Sequence, residues 1–163
     1  MQFENLLLLL DSVLVAGLAA WMIVAVRDNW MHPKMNLEAV AMVVRFDAMA
    51  EEFPEDYAEV AHRRIDDPAR VKLIFHLIRW AETAAAVMLS LSALLLFIAA
   101  FGSAGVVFAT GMALVSTAFF ASIWAGFIIG GNYFAYWYSH QWAQMNHFSL
   151  LFWSLLVFIA LLN

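Results

Sequence analysis

Four long apolar stretches run through the chain, at 6–26, 73–101, 106–129 and 147–162, and the only extended polar stretch lies between the first two. A helix rising about 1.5 Å per residue needs about 20 mostly apolar residues to cross the hydrocarbon core of a bilayer. No stretch alternates apolar and polar positions as a barrel strand does. A backbone in lipid must satisfy its own hydrogen bonds, so helices are the expected spanning form. The pattern predicts an all-α membrane protein of one domain over 1–163: four transmembrane helices in an antiparallel bundle, with a long helical loop between helices 1 and 2.

The polar loop, 27–71, has helical periodicity of its own. Leu37, Val40, Val44 and Met49 recur on one face of 36–50, and Tyr57, Val60 and Ala61 do so over 54–65. Bases and acids are matched there, unlike a segment that lies on anionic lipid, so both stretches are expected to cap the bundle. Asp67-Pro68 reads as an N-cap followed by proline at the first helical position, which starts the second helix well before its apolar part. Gly102 and Gly105 mark a short turn at 101–106 that makes helices 2 and 3 a hairpin. The first apolar stretch lacks a basic segment before it and continues to Val26, so it is expected to be a retained span and not a cleaved signal.

Composition agrees: 65% of the 163 residues are hydrophobic and 13% charged, about half the charged share of an ordinary soluble domain. Of the 21 Asp, Glu, Lys and Arg side chains, 19 lie between Arg27 and Glu82, and none follows Glu82. That second half cannot form a soluble surface, and the net charge of -5 does not suit a polyanion, so nucleic acid is excluded as a partner. The lipid bilayer is the expected surrounding. Absence of Cys removes disulfides, thiolate zinc sites and iron–sulfur clusters.

Three segments carry a family resemblance: Asp28-Asn29-Trp30 leaving the first helix, Arg45-Phe46-Asp47 with Phe53-Pro54, and the run from Gly130 to Trp137 with Trp142 beyond it. On these the chain resembles the domain of unknown function 2165 family, small integral membrane proteins of bacteria, over nearly its whole length. Relatives typically have Glu where Asn132 stands, and basic residues in the turn between helices 2 and 3 that are missing here. The resemblance implies the bacterial inner membrane, cytoplasmic termini and a periplasmic first loop. The eight basic residues in or beside that loop favour the reverse by the positive-inside rule; the family's topology is the expectation adopted.

Candidate chemistry is sparse. Glu82 falls inside the apolar part of helix 2, where an ionised carboxylate is costly. Arg79 is its expected partner, with Thr83 adding a hydroxyl and His76 continuing the polar edge toward the loop. A structural role for Glu82 is expected ahead of a transporting one, because the only other carboxylate within a span is Asp11 in helix 1. His76, His140 and His147 are the candidates for a metal or haem site. His140 and His147 stand two helical turns apart and no ligand-spacing motif joins them, so no cofactor is expected.

Two further patterns concern contact and not chemistry. Ala118, Ser122, Gly126 and Gly130 recur every fourth residue of helix 3, the small-residue row that lets helix backbones approach in lipid, and packing inside the bundle is expected of it. Asn132, Tyr133, Tyr136, Trp137, Trp142 and Trp30 form a candidate interaction surface of belt-type aromatics. The first loop and the 130–146 connection should meet as one cap, with Trp30, Phe46 and Phe53 near Tyr136, Trp137 and Trp142. No nucleophile–base pair, phosphate loop or paired carboxylates appear. The expected function is therefore a non-enzymatic accessory or assembly subunit of a larger membrane complex. A small transporter or ligand-binding protein using Glu82 and a histidine-based metal or haem protein are the alternatives.

Overall fold

The computed structural model describes residues 2–102 and 105–162. The turn expected at 101–106 thus lies partly outside the described residues, at 103 and 104. Four helices are long and apolar enough to span a membrane: α1 (Phe3–Met31), α5 (Pro68–Gly102), α6 (Val106–Tyr133) and α8 (Gln141–Ala160). Between α1 and α5 lie α2 (Pro33–Val44), α3 (Asp47–Glu52), α4 (Pro54–Val60) and a 3-10 turn at Ala61–Arg63, and α7 (Tyr136–Ser139) joins α6 to α8. No strand occurs among the described residues.

Cross-contacts establish the directions of the helices. Ser12 reaches Ala93 while Asn29 reaches Glu82, so α1 and α5 run antiparallel. Ser116 of α6 meets Ser92 of α5, and higher on α6 Phe127 stacks on His147 of α8 while Asn132 meets Gln144. α1 closes the ring against α8, where the Trp153 indole comes within 3.4 Å of where a Cβ on Gly17 would stand. Across the diagonal, Trp21 of α1 meets Phe120 and Trp124 of α6 edge-on at 6.4 and 5.1 Å. Aromatic rings thus fill the centre that backbones do not reach, beside fully buried Leu18, Met22, Leu89 and Leu96.

The helices exceed their apolar parts. α5, with 35 residues, is about 52 Å long against a hydrocarbon core of about 30 Å. Its start follows the expected cap: the Ala69 N–H donates to Asp67 Oδ1 at 2.9 Å, with Pro68 at the first helical position. Counted back from Gly102, about 20 residues bring the hydrocarbon edge to the level of Thr83 and Glu82. α6 continues to Tyr133 and α8 begins at Gln141, so the expected 130–146 connection shrinks to seven residues around α7.

The polar loop folds onto this projecting end. The stretch expected as one helix over 36–50 breaks at Phe46, whose φ of 58° is left-handed, and divides into α2 and α3. Such a conformation costs about 1–3 kcal/mol for a bulky residue. Burying a phenyl ring returns about 1.5–3 kcal/mol, and Phe46 is 2% exposed. The break therefore offsets its own strain by turning the ring into a cluster with Met49 and Ala135.

Candidate functional site

The projecting end of the bundle holds three structured regions. The first is a polar seam between α1 and α5. Asn29 Nδ2 donates to Glu82 Oε2 at 2.5 Å, and Trp30 Nε1 donates to Thr83 Oγ1 at 3.1 Å, whose own hydroxyl donates to the Arg79 carbonyl at 2.7 Å. Glu82 is 5% exposed. The expected Arg79–Glu82 pair does not form. The guanidinium lies instead over the Trp30 ring at 4.0 Å and beside Phe75 at 5.4 Å, with Nη2 3.0 Å from His76 Nδ1. Spacing of three residues put the two charges on adjoining faces, but Glu82 turns inward to an amide supplied by another helix.

A proton or ion relay from Glu82 would need polar groups along the bundle axis. The buried hydroxyls of Ser12, Ser92 and Ser116 lie about ten residues further down α5, roughly 15 Å away by helical rise, and the buried Trp124 Nε1 and His147 Nδ1 make no hydrogen bond among the described residues. Each hydroxyl is already used locally: Ser12 donates to the Ala93 carbonyl at 2.8 Å, and Ser116 donates to Ser92 Oγ at 3.1 Å. Apolar side chains fill the interval, among them fully buried Ala85 and Leu89. The arrangement suits a strut better than a pathway.

The second region is an apolar groove of about 390 Å³ between α5 and α6, roofed by Val40 and Val44 of α2. Its volume falls in the range of small-ligand and side-chain pockets, about 300–1,000 Å³. Ser122, Gly126 and Gly130 line one wall, and Ile74 and Ala81 the other. The expectation that the small-residue row packs inside the bundle is corrected here: Ala118, Ser122 and Gly126 are exposed and Gly130 half-buried. A Cβ added at Gly126 or Gly130 would meet nothing within 4 Å. The packed face of α6 is another one, Ala109, Ala113, Ser116, Thr117, Phe120 and Trp124. That face wins because it holds the bulky rings that fill the diagonal.

The third region is the cap joint. The two segments do meet, through Phe46 and Phe53 of the loop as expected, but against other residues of the connection. Phe46 packs on Phe134 at 5.6 Å and Phe53 on Tyr138 at 5.2 Å, while Arg63 donates to the Tyr133 carbonyl at 3.3 Å and lies over its ring. Tyr136 turns the other way, onto Gly131 and His147. Trp137 and Trp142 point outward, the latter 91% exposed, and Trp30 belongs to the seam, edge-on to Trp80 at 5.2 Å. The six aromatic and amide positions expected as one surface are thus divided; Asn132 itself accepts from Gln144 Nε2 at 3.0 Å. Phe134 and Tyr138 read along the chain as members of the aromatic belt, and what the sequence did not disclose is that they are the ones that meet the loop. Their pairing depends on Ala135, whose φ of 54° reverses the chain between α6 and α7.

The histidines are spread over these regions. His76 joins Arg79 in the seam, whereas His147 stacks against Phe127 at 4.8 Å, Trp124 at 5.6 Å and Tyr136 at 5.9 Å. His140 lies 5.4 Å from the other edge of Tyr136. Among the described residues no three His, Asp or Glu side chains gather as a metal-holding group. Burial lowers the His140 imidazole below its ordinary value, with the Glu52 carboxylate opposing that shift. In the cap, hydrogen bonds to Asp66 and Tyr57 raise the Arg64 guanidinium further above its ordinary value, so it stays charged.

Neither a curated protein nor a solved structure matches the chain. Residues 7–163 match the family described as "Predicted small integral membrane protein (DUF2165)". The chain belongs to that family.

Proposed function

We propose that this small integral membrane protein is a non-enzymatic accessory or assembly subunit that binds a larger membrane complex. One observation carries the reading: the small-residue row of α6 is turned away from the packed core, and Ser122, Gly126 and Gly130 border an open groove. Helices associate in lipid by close packing, because lipid tails are as apolar as Leu and no hydrophobic force drives them together. Small residues in an outward row permit that approach, and here they lie in a groove already shaped by α2 and α5. The occupant in this reading is a transmembrane helix of another protein. The proposed setting is the bacterial inner membrane with the cap on the periplasmic side, which is what the family resemblance implies.

The chain lacks Cys, so a single introduced cysteine reports on one position alone. With Gly126→Cys, a thiol-directed crosslinker in native membranes should give one adduct of discrete mass with a different protein. Val107→Cys, on the same helix and 88% exposed, should give none. Adducts of twice the chain's own mass, or equal yields from both positions, would replace the accessory reading by self-association or by plain lipid exposure.

A further inference from the structure

Lys72, His76, Arg79 and Thr83 occupy one stripe of α5, within about 60° of arc at 3.6 residues per turn. Lys72 and His76 are exposed and Arg79 is half-buried. With the hydrocarbon edge near Thr83, Arg79 stands about 6 Å, His76 about 10 Å and Lys72 about 16 Å above it by helical rise. The polar headgroup layer is about 5–8 Å thick on each side. Arg79 therefore lies at headgroup depth at the outer edge of the α1/α5 seam, with His76 and Lys72 exposed above it on the aqueous side.

The stripe's charge is not neutralised by the chain. The ion pairs among the described residues involve Arg27, Arg64 and Arg70, and none brings a carboxylate within 4 Å of Lys72, His76 or Arg79. Glu82, three residues beyond Arg79, is turned inward and held by Asn29. Of the five N–H donors of Arg79, one on Nη2 is directed to His76 and the Nε–H is buried, which leaves three on Nη1 and Nη2. Its position is nevertheless fixed, by Trp30 beneath one face and Phe75 beside it. A guanidinium held flat on an aromatic ring with donors unspent matches an oxyanion with two free oxygens. Trp30 and Trp80, edge-on to one another and exposed, flank it with the amphipathic surface typical of the membrane interface.

We propose that the Lys72–His76–Arg79 face is a binding site for the phosphodiester of an anionic membrane phospholipid, with Arg79 meeting it at headgroup depth and Lys72 adding positive charge above it. A carboxylate peptide is disfavoured because the phosphate plane of the bilayer already lies at the depth of Arg79. The site is independent of the α5/α6 groove, since Ile74, Leu77 and Ala81, which line the groove, lie on another side of α5.

The whole protein, reconstituted in nanodiscs of phosphatidylcholine with an equal share of phosphatidylglycerol, tests this by native mass spectrometry of retained lipid. Wild type should retain phosphatidylglycerol at least fivefold over phosphatidylcholine. Lys72→Gln with Arg79→Gln should abolish that preference, and Arg70→Gln, which removes one equal charge paired with Asp67, should leave it unchanged. Should the double variant fail to fold, Lys72→Gln with His76→Gln alters exposed positions alone and should at least halve the preference. Equal retention of the two lipids by wild type, or a preference that survives both double variants, overturns the site. Release of phosphatidylglycerol by millimolar inorganic phosphate overturns the lipid assignment and marks a site for soluble phosphate.

Discussion

The two flanks of α5 solve the problem of helix association in opposite ways. Toward α1 it is stitched by hydrogen bonds at two depths, Ser12 to the Ala93 carbonyl and Asn29 to Glu82, with Trp30 to Thr83 beside the second. Toward α6 it meets Ser116 through Ser92 at mid-depth, and then the two helices part to leave the groove at the projecting end. Polar pairs fix register because each donor has one acceptor in reach, whereas small residues allow close approach without requiring it. The seam is therefore a closed interface, and the groove is an interface with one side supplied.

The largest effect should come from removing the seam's acceptor. Glu82→Leu leaves the Asn29 amide without its acceptor at a mostly buried site, a loss of about 2–3 kcal/mol; Glu82→Gln keeps shape and an acceptor oxygen and should cost less than half as much. Thermal unfolding in one detergent ranks the pair. Equal losses would mean that the charge, and not the hydrogen bond, holds the seam, and loss of an ion flux in a folded Gln variant would favour transport.

Next come two glycines five residues apart on α6. Gly131→Ala places a Cβ 2.9 Å from Tyr136 Cδ2 and 3.1 Å from its Cγ, so the ring must move off its place against His147. Overpacking of this kind costs about 1–3 kcal/mol. Gly126→Leu meets open groove and should change the stability of the isolated protein by less than about 0.5 kcal/mol. It should at the same time block the Gly126-centred crosslink described above when combined with a cysteine at Ser122. A Gly126→Leu protein as destabilised as Gly131→Ala would return the row to the bundle interior.

Smaller still is Trp30→Phe, which keeps the ring over Arg79 but deletes the indole donor to Thr83. Interhelical hydrogen bonds of this type contribute about 0.6 kcal/mol on average, so a melting-point fall of a degree or two is expected. The least effect is a pH response in the cap. His140 has a folded pKa below its ordinary 6.5, so the unfolded chain takes the proton first. Cap stability is intact above about pH 6.5 and falls as pH drops from there toward the lower folded value. Proteolysis within 53–66 should accelerate modestly between pH 7 and pH 5, and His140→Gln should flatten that slope.

Much of the cap and little of the site were legible along the chain. Asp67-Pro68 marked the start of α5 because capping is a local matter of two residues, and the 27–71 loop betrayed its fold by carrying apolar residues at helical spacing. The pairing of Phe134 with Phe46, by contrast, rests on two left-handed residues, Phe46 and Ala135, that no local preference announces. Asn29 sat in a quoted motif, yet Arg79 was the natural partner for Glu82 from spacing alone, since a sequence reading sees neighbours on one helix before neighbours across two. The small-residue row was visible as a row, but nothing in it said which way it faced.

By itself the sequence determined the number of spans, their place in the chain and the position of the polar loop, because apolar length is a sum over consecutive residues and lipid admits few backbone solutions. Tertiary structure decided how each helix is rotated about its axis: which side of α6 carries the core, which amide reaches Glu82, and where α5 and α6 separate. A soluble helix reveals its inner face as an apolar stripe. A span that is apolar on every side has no such stripe, and its facing is settled only by the shapes and hydrogen-bonding groups of the helices beside it.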